Sequence, residues 1–184
     1  YASSRGIPVV VGPERDVLRR VIKAGEWADA DHIVRVTTEN PFIFTDNLSD
    51  LIGEHVRVGA DLSTTTLLPL GCAAEVVKFD ALQRSHQQGS RRHRSELVTS
   101  YIYDHRDDFV IEVAQPPEPL RRPELRLTVD YPEDLIVVRA VEHELQSDLD
   151  WGLHDVIRVL DEHPQLIALN SQYEDARAYI DRLE

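Results

Sequence analysis

The chain is poor in the residues that most often announce a chemistry. Its 184 residues include one cysteine, Cys72, so no internal disulfide can form, which fits a reducing compartment. Lysine is almost absent, with only Lys23 and Lys78, whereas Asp and Glu total 33 and the net charge is −13. A surface of that sign repels nucleic acid and anionic membranes, and neither is expected as a partner. No apolar run approaches the ~20 residues of a membrane-spanning helix, and no stretch has the apolar core of a secretory signal. A cytoplasmic location is therefore expected. The histidines show no paired zinc-ligand spacing, no Ser-His-Asp arrangement is readable, and no His or Lys flanks Cys72 to activate its thiol.

What the chain does have is a 42% apolar content, enough for one domain with a sizeable core. Strand-like and helix-like segments alternate, which predicts an α/β fold. Residues 7–11, 32–37, 61–67, 74–79, 109–113 and 125–129 read as strands. Helical spacing begins at Val17, Leu18, Val21 and Ile22, and again at Leu48, Leu51, Ile52 and His55, with Gly59 as a C-cap. Further helices are expected over 81–88 with Asp80 as N-cap, over 96–104, over 153–162 and over 172–183. Pro132 opens another, with Leu135, Val138, Val141 and Leu145 as its buried face. The basic stretch 88–94 reads as an exposed loop and 115–123 as a proline-rich connector. There is no repeat and no linker, so residues 1–184 are expected to form a single domain.

Residues 125–135 are the most informative. Leu125, Leu127 and Val129 alternate, Asp130 stands at the carboxyl edge, and Glu133 and Asp134 occupy the first turn of the helix that follows. Ligands of open α/β sheets bind at the carboxyl ends of strands, where a carboxylate can hold a hard cation. The loop after residue 35 carries Glu39 in an equivalent position. If the two strands are neighbours, Glu39 and Asp130 face one crevice and can share a magnesium ion. On the residues alone the alternatives stand beside this: Asp130 as a helix cap accepting the Glu133 N–H, and Glu39 as a solvated turn residue.

Six stretches then occur in a telling order. They are Gly-Ile-Pro-Val at 6–9 with Asp-Val-Leu-Arg at 16–19, Arg-Val-Thr-Thr-Glu-Asn-Pro-Phe at 35–42, and Gly-Cys-Ala-Ala-Glu-Val at 71–76. Glu-Leu-Val-Thr-Ser-Tyr-Ile follows at 96–102, Leu-Arg-Leu-Thr-Val-Asp-Tyr-Pro-Glu-Asp at 125–134, and a closing Leu-Asn at 169–170. On these, residues 6–170 resemble the C-terminal two-thirds of the sugar cytidylyltransferases, especially the spore-coat polysaccharide branch. That group is similar to the synthetases of CMP-N-acetylneuraminate and CMP-3-deoxy-manno-octulosonate.

The resemblance implies a three-layer α/β sandwich with a mixed sheet, of the nucleotide-diphospho-sugar transferase, Rossmann-like kind. It implies a magnesium-dependent reaction in which the hydroxyl of an acidic or surface-polysaccharide sugar attacks the α-phosphorus of CTP and pyrophosphate leaves. Glu39 and Asp130 fall on the positions of the two metal-binding aspartates. Arg126 is the implied catalytic residue, and Asn40, Glu75, Glu96, Thr99 and Tyr101 are the implied substrate contacts. Read as bare residues, Arg126 could pair with Glu124 or Glu133, and Tyr101 could simply pack on the core. A homodimer through residues 88–123 is also implied.

The family's Arg- and Gly-bearing phosphate loop lies upstream of the matched part, so the family-like core is expected to be N-terminally incomplete. Within the match, Glu39 stands for Asp, Thr38 for Gly, Cys72-Ala73-Ala74 for Leu-Asp-Val, Leu97 for His and Tyr131 for a helix-capping Thr. These departures support an alternative: a non-catalytic relative that binds a sugar or partner protein in a regulatory or scaffolding role.

Overall fold

Four short strands form one mixed sheet, and its register decides which residues face inward. The structure, a computed structural model, describes residues 1–145 and 150–173. Along the chain come α1 (Val17–Ala28), β1 (His32–Arg35), α2 (Leu48–Val58), β2 (Leu62–Thr65), β3 (Glu75–Lys78) and α3 (Phe79–Gln88). They are followed by α4 (Ser100–Asp104), β4 (Ile111–Ala114), α5 (Pro132–Leu145), α6 (Leu153–Glu162) and α7 (Pro164–Asn170). The strand order is β1-β3-β2-β4, with β3 antiparallel to both neighbours and β4 parallel to β2.

Ile33, Val77, Leu62 and Ile111 are register partners across the sheet and share one face. That face carries a core built with Leu18 and Ile22 of α1, Leu82 of α3 and Ile102 of α4. Ser63, one residue on from Leu62, points to the other face, where the His55 Nδ1 of α2 hydrogen-bonds its hydroxyl at 2.8 Å. Helices thus cover both faces, as the sandwich reading requires. A second core lies against α5 and α6, where Phe42, Leu125, Leu127, Val137, Val141, Val156 and Leu160 are buried together. Among the described residues no helix is long and apolar enough to cross a membrane.

Several local expectations need correction. Residues 7–11 are not a strand: Ile7, Val9 and Val11 are more than half exposed and pair with no strand among the described residues. Residues 125–129 are not a strand of the sheet; an isolated parallel bridge pairs Arg126 with Leu70, which lies in the turn between β2 and β3. Their period misleads because Arg126 and Thr128 are buried along with Leu125 and Leu127. In α3 the helix starts at Phe79, so Asp80 lies in the first turn and Lys78 takes the cap position. The segment 96–104 is helical only from Ser100.

Residues 88–94 are not a plain loop. Arg91–Arg94 form a 3-10 turn with His93 buried, its Nδ1 accepting the Ser90 backbone N–H at 2.9 Å. In α5 the buried face is Asp134, Val137, Val141 and Leu145, while Leu135 is 39% exposed. The helix is rolled because Asp134 is drawn inward by partners that the apolar period cannot register. Helix α7 was not foreseen. The helix expected over 172–183 falls almost wholly outside the described residues.

The buried His55 gives the fold a pH dependence. Burial first, then the neighbouring His32 and Lys78, hold its pKa below the ordinary imidazole value, outweighing the pull of Asp61. Its Nε2 lies 3.0 Å from the His32 Nδ1. The folded state therefore binds this proton less readily than the unfolded state does. Stability is fully present above about pH 6.5 and is lost as the pH falls from there toward the depressed folded-state value. Urea unfolding between pH 7.5 and 5 should show this loss, and His55→Gln should remove it; equal slopes in the two proteins would show that His55 is not its source.

Candidate active site

Four segments meet at one cleft of about 640 Å³. The Val129 N–H donates to the Glu39 carbonyl at 2.9 Å, which sets the end of the 125–129 segment beside the loop after β1. Leu70 donates to the Leu125 carbonyl at 2.9 Å and accepts from the Leu127 N–H at 2.8 Å, adding the turn before β3. Gly71 sits there at φ +93°, where a Cβ would lie 2.8 Å from the Thr128 nitrogen and 2.9 Å from Asn40 Oδ1. Only glycine allows that close approach. Asn40 is itself held by its Nδ2, which donates to Thr37 Oγ1 at 2.7 Å.

Glu39, Asn40, Glu75, Glu96, Arg126 and Asp130 all line this cleft, so six of the eight expected site residues are brought together. Glu75 is 4% exposed and accepts from the Arg35 guanidinium at 2.9 Å and from Thr99 Oγ1 at 2.7 Å. Thr99 therefore lies beneath the cleft floor and orients Glu75. Arg35 reaches on to the Glu96 carbonyl at 2.8 Å. Tyr101 does not join the cleft. It is buried in the core, stacked on His105 with ring centroids 4.0 Å apart, and its hydroxyl donates to Gln88 at 3.1 Å.

The centre of the site is a charge cluster that spacing had not revealed. The Arg126 side chain is 4% exposed, and its partners are neither Glu124 nor Glu133. Its Nε donates to Asp134 Oδ1 at 3.0 Å, and one terminal nitrogen donates to Asp134 Oδ2 at 3.2 Å and to Asp130 Oδ2 at 2.6 Å. Asp134 is fully buried and also accepts from Asn170 Nδ2 at 2.9 Å and from the Asp130 and Tyr131 backbone N–H groups, each at 3.0 Å. Burial raises its pKa, but those donors prevail and hold the carboxyl below the usual range.

Asp134, rather than Asp130, thus satisfies the start of α5. Tyr131, in place of the capping Thr, lays its ring 5.2 Å from the Arg126 guanidinium carbon and stacks on Tyr173 at 3.8 Å. Sequence reasoning missed Asp134 and Asn170. Arg126, Asp130 and Asp134 do recur every four residues, but the segment is not helical throughout, so that spacing alone does not predict a cluster. Cys72 is in the core, where burial pushes its thiol up, so it is no nucleophile at neutral pH.

Among the described residues no group of three or more His, Cys, Asp or Glu side chains is assembled as a cation site. Glu39 and Asp130 line the same cleft, and magnesium, which keeps most of its waters, calls for no more than one or two carboxylates alongside phosphate oxygens. Asp130 has 49% of its side chain exposed, and its contact with Arg126 engages one of its two oxygens.

No family model matches the chain. It is 32% identical over 172 residues to an uncharacterised protein of Methanocaldococcus jannaschii, spanning 92% of this chain and 69% of that protein. It is 31% identical over 165 residues to the spore coat polysaccharide biosynthesis protein SpsF of Bacillus subtilis, spanning 89% of this chain and 69% of SpsF. A cytidylyltransferase structure from Leptospira borgpetersenii superposes with a TM-score of 0.77 at 20% identity, covering 90% of this chain and 71% of that one.

Proposed function

The chain belongs to the family of the spore coat polysaccharide biosynthesis protein SpsF, has a cytidylyltransferase fold, and from that premise we propose that it transfers a cytidylyl group to a sugar. The observation that carries the reading is the convergence of Glu39, Asp130 and Arg126 on one cleft at the end of the sheet. In the proposed reaction a sugar hydroxyl oxygen attacks the α-phosphorus of CTP. The new P–O bond forms as the bond to the β-phosphate bridging oxygen breaks, pyrophosphate leaves with that electron pair, and the hydroxyl proton passes to solvent. Little covalent work falls to the protein, which acts by positioning and charge neutralisation.

Each side chain has a part in that scheme. Glu39 and Asp130 would hold Mg²⁺, which supplies neutralisation of phosphate charge when bound. Arg126, which lines the cleft with only 4% of its side chain exposed and is paired with Asp134 and Asp130, would act by holding Asp130 in place. Glu75 and Glu96 offer acceptors for sugar hydroxyls, and Arg35 holds Glu75 in place. With CTP and Mg²⁺ at 100 times the dissociation constant, unfolding should become harder by about 2.7 kcal/mol. Pyrophosphate should be released when a sugar substrate is added. A protein with all its native residues that is neither stabilised by Mg²⁺–CTP nor releases pyrophosphate with any sugar of a broad panel would end this reading.

One observation favours a second reading, a non-catalytic sugar- or partner-binding relative. Leu97 presents an apolar side chain to the cleft wall, 42% exposed, at the position where the family pattern has a histidine. Sugar binding without pyrophosphate release, in the presence of Mg²⁺–CTP, separates that reading from the enzyme.

A further inference from the structure

Two carboxylates compete for one guanidinium at the cleft, and they are not equivalent. Asp134 is fully buried and meets Arg126 through both of its oxygens, at 3.0 and 3.2 Å. Asp130 is half exposed and meets Arg126 through one oxygen, at 2.6 Å. Asp134 also takes the backbone N–H of Asp130, and it is held by Asn170, whose Nδ2 spans from Asp134 Oδ1 to the Arg126 carbonyl at 3.1 Å. The buried carboxylate has no route to solvent, so it is the permanent partner of the cation. The exposed one can leave.

We infer that Asp134, braced by Asn170, is a positioning residue that reserves Asp130 for a divalent cation. It does so by neutralising Arg126 and by fixing the backbone on which Asp130 is carried. The inference rests on the proposed role of Asp130 and deepens it. Without the Asp134 charge, Arg126 draws more strongly on Asp130, and a cation must compete with a buried guanidinium for that carboxylate. Outer-sphere partners of this kind change metal affinity by roughly 10- to 100-fold when removed.

The probe is Mn²⁺, titrated by electron paramagnetic resonance with CTP present, on the full protein. Asp134→Asn should weaken Mn²⁺ binding by roughly 10- to 100-fold. Adding Arg126→Met to that variant should restore much of the affinity, because the competitor for Asp130 has gone. Asn170→Ala, which spares both charges, should weaken binding in the same direction by a smaller factor and serves should Asp134→Asn not fold. A merely structural role for Asp134 lowers the melting temperature and leaves Mn²⁺ affinity unchanged, and that result overturns the inference. So does a double variant no better than Asp134→Asn alone. Absence of Mn²⁺ binding in the wild type overturns both the inference and the reading beneath it, whereas wild-type binding matched by Asn170→Ala and Asp134→Asn overturns the inference alone.

Discussion

Arg126→Ala should destabilise the protein by about 3–5 kcal/mol, the usual consequence of stripping one partner from a buried ion pair. The reason is Asp134, a carboxylate with no exposed surface that would remain charged and lose both guanidinium contacts. Asn170 and two backbone N–H groups would still serve it, but none carries a charge. In a domain of this size each kcal/mol moves the melting temperature by roughly 2–4 °C. The deficit should shrink in acid, because the orphaned Asp134 then takes up a proton that the wild-type carboxyl, held low by Arg126, resists. Chemical unfolding of both proteins at pH 7 and pH 4.5 checks this. A loss under 1 kcal/mol at pH 7, or one that does not change with pH, would show that the pair is not what holds α5 to the cleft.

Asp130→Asn should do the reverse, sparing stability and removing turnover. Asp130 is half exposed and the buried Arg126 keeps Asp134 as its counter-charge, so the amide should cost no more than about 1 kcal/mol and leave the melting temperature nearly unchanged. An amide oxygen is a weak magnesium ligand, so the ion that would neutralise phosphate charge is held less well. Loss of a single preorganised electrostatic group at a reacting centre costs about 10²- to 10³-fold in rate, and pyrophosphate release should fall by that order. Steady-state assays with CTP and Mg²⁺ measure it. Turnover within threefold of wild type would remove Asp130 from the proposed chemistry. The opposite signatures of Arg126 and Asp130, one thermodynamic and one kinetic, follow from burial alone.

How much of this was legible beforehand differs between elements. Helices α1, α2 and α6 follow directly from apolar periods and, for α2, from Gly59 at φ +68°, where a side chain would be strained. The convergence of Glu39, Asn40, Glu75, Glu96, Arg126 and Asp130 was also readable, through a resemblance that ties each block to a place in a fold. Tyr101 shows the limit of such transfer. Its block is family-like, yet its ring packs among His93, His105 and Phe109 because the core needed an aromatic there.

The sequence by itself determined the alternation of strands and helices, the acidic surface, and the candidacy of Asp130 beside the proline that opens α5. These are local matters, set by side-chain period, charge and the fixed φ of proline. Only the tertiary structure decided that Asp134 turns inward, that Asn170 comes from 36 residues away to meet it, and that Arg126 stands between two carboxylates. The Asn170 contacts exist only when α5 and α7 pack together. The Arg126 pairs span only four and eight residues, yet no helical period records them because the segment before α5 is not helical and burial selects which carboxylate turns inward.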